Sequence, residues 1–315
     1  MSTSSTLPKI GHQRDWVWRG WQTRYAFSRP ENIQNLQPPI LFLHGFGGSI
    51  DHWRKNFDVF GAEHTVYALD LVGFGASRKP QTEYKISLWV EQIHDFWQTF
   101  VGEPMIIVGN SIGSLVALVA AATYPEMAKS LVMVSLFDPS AEQEAIPKFL
   151  QPVLNFTRLA IIRPFLLKSL FYLVRRPSVA KKWAKFAYAK DEAIDPELMN
   201  IFLTPAQDQE AADAFPAILR GMLSIYFAPN IRRFLPRMKL PMLLVWGHLD
   251  KIIPRSNVQT LVRLNPNIKF VEIPDAGHCA HDETPAEVNK LIQEWLVENQ
   301  KSVLPSYSSM PVKLF

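Results

Sequence analysis

The chain has 315 residues, 48% hydrophobic and 20% charged. That is enough apolar material for a full core and too little charge for a disordered chain, so one large α/β domain carrying an insertion is expected. Its 33 basic and 29 acidic residues leave a formal charge of only +4 and a pI near 9.0, too mild to imply a nucleic-acid partner.

A single cysteine, Cys279, excludes an internal disulfide framework and fits a reducing compartment. Residues 1–6 lack a charged n-region and an apolar h-region, so no secretory signal is expected. There is also no clean apolar run long enough to span a bilayer. A cytoplasmic location follows as the expectation.

In chain order, residues 15–27 alternate and are rich in aromatics, with Gly20 at a bend, which predicts an antiparallel strand pair at a sheet edge. Pro38-Pro39 then break the chain before a buried strand over 40–43. That strand ends in His44-Gly45-Phe46-Gly47-Gly48-Ser49, followed by a helix over 53–60. Residues 65–70 form another short buried strand, closed by Gly73-Phe74-Gly75. A dinucleotide fingerprint is not expected there, because the third glycine is missing and Ser77-Arg78-Lys79-Pro80 opens no helix. Asp70 is read as structural. Residues 86–100 place Trp89, Ile93, Trp97 and Phe100 at helical spacing, a stripe that covers one sheet face.

Residues 105–124 organise the rest. The apolar run 105–108 reads as a strand buried on both faces, and 112–122 as a helix that Pro125 stops. Between them stands Gly109-Asn110-Ser111-Ile112-Gly113, a G-x-S-x-G turn in which a serine hydroxyl is held exposed by a sharp bend. Ser111 is the candidate nucleophile. A strand over 131–137 follows, closed by Asp138-Pro139.

The strand and helix rhythm stops between about 141 and 234, where apolar helical pieces are cut by Pro147, Pro152, Pro164, Pro177, Pro196 and Pro205. It resumes with a strand ending in Trp246-Gly247-His248-Leu249-Asp250, a helix over 257–264, and a last strand over 268–273 ending in Pro274-Asp275-Ala276-Gly277-His278. The final helix has Thr284 as N-cap, Pro285 at its first position, Glu287 completing a capping box, and Val288, Leu291, Ile292 and Trp295 as its buried stripe. The expected organisation is a core over 1–139, a helical cap over 140–235, the rest of the core over 236–299 and a loose tail over 300–315.

Strand C-termini in an open parallel sheet face one crevice, so His44, Ser111, Asp138, Asp250 and His278 are candidates to meet there. A serine hydroxyl is hardly ionised at neutral pH and needs a base. Of eight histidines, His278 is best placed, with His281 the nearest rival. The acid that would orient and stabilise its imidazolium is assigned to Asp250, with Asp138 as the alternative. The glycine-rich strand end at 44–49 is the right device for an oxyanion hole, whose donors would be the backbone N–H groups of Phe46 and Ile112. His278, Cys279, His281 and Asp282 match no structural zinc spacing, and no metal or cofactor is expected.

With these residues in hand, the chain resembles an α/β-hydrolase from Trp16 to Leu296. The matches are His44-Gly45-Phe46-Gly47-Gly48, Asp70-x-x-Gly73-x-Gly75-x-Ser77, the Ser111 turn, Trp246-Gly247-x-x-Asp250 and Gly277-His278. The resemblance implies a mostly parallel sheet flanked by helices with an inserted helical cap, and hydrolysis through Ser111, Asp250 and His278. Within that superfamily, Trp16-x-Trp18-Arg19-Gly20 and the Gly-Asn-Ser turn resemble the pheophytinase and chlorophyll dephytylase branch, although Ser114 stands where many relatives carry glycine. That branch implies a lipophilic ester substrate such as the phytyl ester of chlorophyll-type pigments, and a place beside an internal membrane such as the thylakoid. Asn110 also resembles the carbon-carbon bond hydrolases of aromatic ring cleavage, a rival reading. A non-catalytic binding protein on the same fold is the third.

In 165–176, Lys168, Tyr172, Arg175 and Arg176 form a polar stripe on an otherwise apolar helix, with Lys181, Lys182, Lys185 and Lys190 beyond. Such a face suits peripheral contact with an anionic membrane or a lid over a hydrocarbon substrate, and equally a helix simply packed on the domain. Oligomeric state is not legible.

Overall fold

The computed structural model describes residues 10–32, 36–140, 144, 163–253 and 255–300. Among the described residues eight strands are formed: β1 (His12–Trp18), β2 (Trp21–Ser28), β3 (Gln37–Leu43), β4 (His64–Leu69), β5 (Met105–Asn110), β6 (Ala128–Val134), β7 (Met242–Gly247) and β8 (Ile268–Ile273). They make one sheet in the order β1-β2-β4-β3-β5-β6-β7-β8. The β1–β2 and β2–β4 pairs are antiparallel and every pair from β4–β3 to β7–β8 is parallel. Every residue of β4, β5 and β7 is buried, as continuous apolar runs in a sheet covered on both faces require. The edge hairpin turns on Arg19 and Gly20, both at positive φ (52° and 80°), the geometry that matches strand twist in a two-residue turn.

One sheet face carries α2 (Ile86–Phe96), α3 (Ile112–Thr123) and α8 (Arg255–Leu264), packed through Trp89, Leu115 and Leu261. The other carries α1 (Phe57–Gly61), the short α9 (Ala280–Glu283) and α10 (Pro285–Gln300), packed through Phe57, Ala280, Val288 and Trp295.

Several expectations shift. Pro38 and Pro39 do not precede β3 but lie inside its first turn of pairing, where the register slips between Gln37 and Ile40, so the missing N–H donors fall on an irregularity. The helix expected over 53–60 is a 3₁₀ turn (Ile50–Trp53) followed by α1. The helix over 86–100 changes pitch, with α2 passing into a π turn at Trp97–Val101. Phe96, at i+7 from Trp89 within α2, is fully buried beside Trp89 and Ile93, while Trp97 and Phe100 in the π turn are only half-buried. The strand expected to run to Phe137 stops at Val134, since Ser135 turns to φ 50°. Thr284 precedes α10 as expected, but its hydroxyl donates back to the Ala280 carbonyl (3.0 Å).

Between β6 and β7 the described residues contain no strand. They form α4 (Pro164–Val174), α5 (Pro177–Ala187), α6 (Pro196–Ala206) and α7 (Ala211–Leu223). Pro164, Pro177 and Pro196 each open a helix, the position where a missing N–H costs nothing. Pro147, Pro152 and the tail from 301 onward lie outside the described residues. The insertion is tied to the core by ion pairs from Lys79 to Asp208 (2.8 Å) and Arg78 to Glu210 (2.9 Å). A Cβ on Gly221 of α7 would come within 2.1 Å of the Tyr84 carbonyl. Among the described residues no helix is long and apolar enough to cross a membrane.

Candidate active site

The β5–α3 turn is built by close backbone approach. A Cβ on Gly109 would stand 2.5 Å from the Gly113 carbonyl, and one on Gly113 would stand 2.4 Å from the Leu43 carbonyl oxygen. Only glycine lets β3, β5 and α3 meet so tightly. Ser111, between them, holds φ 56° and ψ −117°, a conformation L residues rarely adopt, and its own N–H is fixed by the Val134 carbonyl (2.8 Å). Ser114 has a local role: its buried hydroxyl donates to the Gly109 carbonyl (2.7 Å), fastening the helix start to the strand end.

Two further loops converge on this turn. A Cβ on Gly45 would lie 3.4 Å from the Ser111 Cβ and 2.8 Å from the Asn110 side-chain oxygen. The Asn110 amide donates to the His278 carbonyl (3.2 Å), so the residue preceding the candidate nucleophile touches the residue assigned as base. His278 Nδ1 lies 2.8 Å from Asp250 Oδ2, while Asp250 Oδ1 accepts the N–H groups of Ile252 (2.8 Å) and Ile253 (3.1 Å). Burial pushes the Asp250 carboxyl upward. The His278 hydrogen bond and charge, with the two backbone donors, outweigh it and hold the group below the usual carboxylate range. An ionised Asp250 selects the tautomer with hydrogen on Nδ1, which leaves Nε2 with a lone pair.

The alternative acid goes elsewhere. Asp138 is buried against Arg232, whose guanidinium reaches Oδ2 at 3.1 Å, and its Oδ1 accepts from Ser140 N–H (2.8 Å). His281 is fully buried and packs on Trp53 and His52, with ring centroids 4.2 and 4.6 Å apart. No metal-binding group occurs among the described residues.

The loop after β3 carries Phe46. Its anchor is His44, fully buried, with Nδ1 2.8 Å from the Gly45 carbonyl and Nε2 accepting the Leu71 N–H (3.1 Å). That pairing needs a neutral imidazole, and burial accordingly lowers its pKa to about 4. Asp70 braces the same region by accepting from the N–H groups of Ile50 and Ala76 (2.7 Å each), and burial raises its pKa to about 7. Ile112 is the first residue of α3, so its N–H has no intrahelical acceptor.

Sequence reasoning passed over a second set of contacts, between the insertion and the His278 loop. The His278 N–H donates to the Ala187 carbonyl (2.7 Å) at the end of α5. Buried Glu283 accepts Ala189 N–H (2.7 Å) and Lys190 N–H (2.6 Å) on one oxygen and Gly277 N–H (2.7 Å) on the other. Tyr188, between them, places its hydroxyl 2.8 Å from both His52 Nε2 and Asp282 Oδ2, and Asp282 in turn meets Arg54 (2.8 Å). The only local signal was acidic residues just after His278, and their partners lie about 95 residues away.

Residues 38–285 match the model of the α/β hydrolase fold family, and the chain belongs to that family. Proteins named as hydrolases and lipases are among its relatives. Chloroplastic pheophytinase of Arabidopsis thaliana is 26% identical over 298 residues, 82% of this chain but only 61% of that protein. The 2-hydroxy-6-oxo-6-(2'-aminophenyl)hexa-2,4-dienoic acid hydrolase of Metapseudomonas resinovorans is 26% identical, covering 79% of this chain and 80% of its own. Human (lyso)-N-acylphosphatidylethanolamine lipase is 28% identical, covering 83% and 80%. Among solved structures, a bacterial membrane phospholipase A shares the fold with a TM-score of 0.72 at 23% identity, over 92% of this chain and 86% of that one.

Proposed function

We propose that the protein is a serine hydrolase that cleaves the carboxylic ester of a lipophilic substrate. The observation that carries the reading is the Asp250–His278 pair at 2.8 Å, held beside a strained Ser111 by the Asn110 bridge. Ser111 Oγ attacks the ester carbonyl and gives its proton to His278 Nε2. Asp250 keeps the imidazole oriented and stabilises its positive charge. The Phe46 and Ile112 N–H groups receive the oxyanion. His278 then protonates the departing alcohol, and water, activated by the same imidazole, releases the acid and restores Ser111. No cofactor is called for.

The helical insertion acts in this reading as a cap over the substrate, with residues 140–235 as its extent. The lipophilic class is supported by relatives named for pheophytin and for an N-acyl phospholipid, and a phytyl ester is the specific candidate. The work would be done at the edge of an internal membrane, the thylakoid in a photosynthetic cell. A second reading, cleavage of a carbon-carbon bond in a ring-cleavage product by the same residues, is favoured by the Metapseudomonas relative.

A substrate panel separates them: chlorophyll a, pheophytin a, long- and short-chain p-nitrophenyl esters, and a vinylogous diketone. Release of phytol or a preference for long acyl chains is expected. Turnover of the diketone alone would replace the ester reading with the second one.

A further inference from the structure

The charge of this chain is unevenly placed. Residues 163–190 contain eight basic residues and no acidic one, while the rest of the chain has 25 basic and 29 acidic. A segment of +8 thus rides on a body of −4. The same segment forms α4 and α5, and seven of the sixteen large apolar side chains exposed among the described residues lie on it. On α4, Phe165 (64% exposed), Leu166, Leu170, Tyr172 and Leu173 all point outward, while Phe171 alone turns in to be buried. On α5, the inward side is Ala184 with Ala180 and Ala187, Trp183 (61% exposed) and Phe186 form an open flank, and Lys181, Lys182 and Lys185 fill the remaining side. Lys168 pairs with Asp213 (2.6 Å) and Lys185 with Asp191, and Arg176, Lys181 and Lys182 are also exposed on this segment.

A helix with apolar residues outward cannot be a plain solvated helix, since water gains nothing from that arrangement. Apolar residues flanked by lysines match the depth profile of a lipid surface, hydrocarbon below and phosphate at the rim.

We propose that the α4–α5 face docks on an anionic lipid surface, with the α4 side chains and Trp183 entering the acyl region and Lys181, Lys182 and Arg176 meeting phosphates. This rests on the lipophilic-ester reading for its purpose and adds where the protein stands to collect the substrate. The face is continuous with the candidate site. Buried Phe171 of α4 meets Phe215 of α7 (5.1 Å), which meets Phe46 of the oxyanion loop (6.2 Å), so an aromatic row runs from the docking helix to the reacting centre.

The test is co-sedimentation of the full chain with vesicles of phosphatidylcholine alone and of phosphatidylcholine with phosphatidylglycerol, with hydrolysis of a soluble short-chain ester measured in parallel. Binding to the anionic vesicles, weakened by salt, is expected. K181A with K182A should weaken it about 30-fold, at about fivefold per lysine. Leu166→Glu with Leu170→Glu should abolish it. Both variants should keep short-chain ester hydrolysis, because none of these residues is in the catalytic machinery.

No sedimentation, equal binding to neutral vesicles, or indifference to either pair of substitutions would overturn the proposal. So would self-association through this face without vesicle binding, or capture of a single-stranded oligonucleotide in place of lipid. Failure of the short-chain assay in the unaltered protein would instead remove the serine hydrolase reading and leave the docking result standing.

Discussion

Ser111 pays for its exposure with backbone strain, at φ 56° and ψ −117°. A residue held in that region costs about 1–3 kcal/mol, and glycine escapes most of it. Ser111→Ala keeps the strain and removes the proposed nucleophile, so turnover should fall about a millionfold with little change in melting temperature. Ser111→Gly should be equally inactive yet melt no lower than the alanine variant, despite the usual glycine penalty of about 0.5–1 kcal/mol. A glycine variant that melts lower by that penalty would show that the turn is not strained.

The choice between acids is also a single-residue matter. Asp250→Asn should cost about 10⁴-fold in kcat, because the amide can no longer select the tautomer. Asp138→Asn should leave kcat near its original value, since its partner is Arg232. The reverse outcome in a steady-state assay would exchange their roles. Gly109, Gly113 and Gly277 were legible in the sequence because close backbone approach leaves no room for a Cβ there. The sequence left Asp138 beside Asp250 because both follow strands, and the contacts that separate them, Asp250 with His278 and Asp138 with Arg232, join distant parts of the chain.

At the scale of elements, the His278 loop is held from outside the sheet. Glu283 joins Gly277 to Ala189 and Lys190, and His278 N–H joins α5. Glu283→Gln replaces one accepting oxygen with a donor that must face an N–H group, an arrangement that costs about 1–3 kcal/mol where buried. A lower kcat with KM nearly unchanged is expected, with a parallel loss in fluorophosphonate reactivity. A variant that only melts earlier, with kcat intact, would make Glu283 a structural clasp and nothing more.

Such pairings escape a sequence reading, because two short segments meet by tertiary contact with no periodic signal. The π turn after α2 escaped for a different reason: one extra residue in a turn leaves composition and apolar pattern unchanged. Helices with clear start or stop signals, such as α3 before Pro125 and α10 after Thr284-Pro285, were legible to within a residue or two at the signalled ends.

At the scale of the whole molecule, buried histidines set how stability responds to pH. His44 and His52 are fully buried, and burial lowers each pKa from 6.5 to about 4; burial lowers His281 well below its usual value too. Between pH 6.5 and about 4 the unfolded chain therefore takes up protons that the folded chain refuses, and stability falls as pH falls. Asp70 acts in the opposite sense. Folded, it keeps its proton up to about 7, against 3.8 unfolded, so its contribution rises as pH drops through the same window. Three histidines outweigh one carboxyl, and the melting temperature should decline from pH 6.5 toward 4. A flat or rising melting curve there would mean that these imidazoles are not held neutral.

The central claim is that Ser111 is made reactive by His278. It is tested most directly by mass spectrometry of the protein after treatment with a fluorophosphonate, which modifies only an activated serine. A single adduct on Ser111, absent in Ser111→Ala and strongly slowed in His278→Ala, is the predicted result. An unmodified Ser111 in the intact, folded protein, or an adduct that forms equally fast without His278, would contradict it.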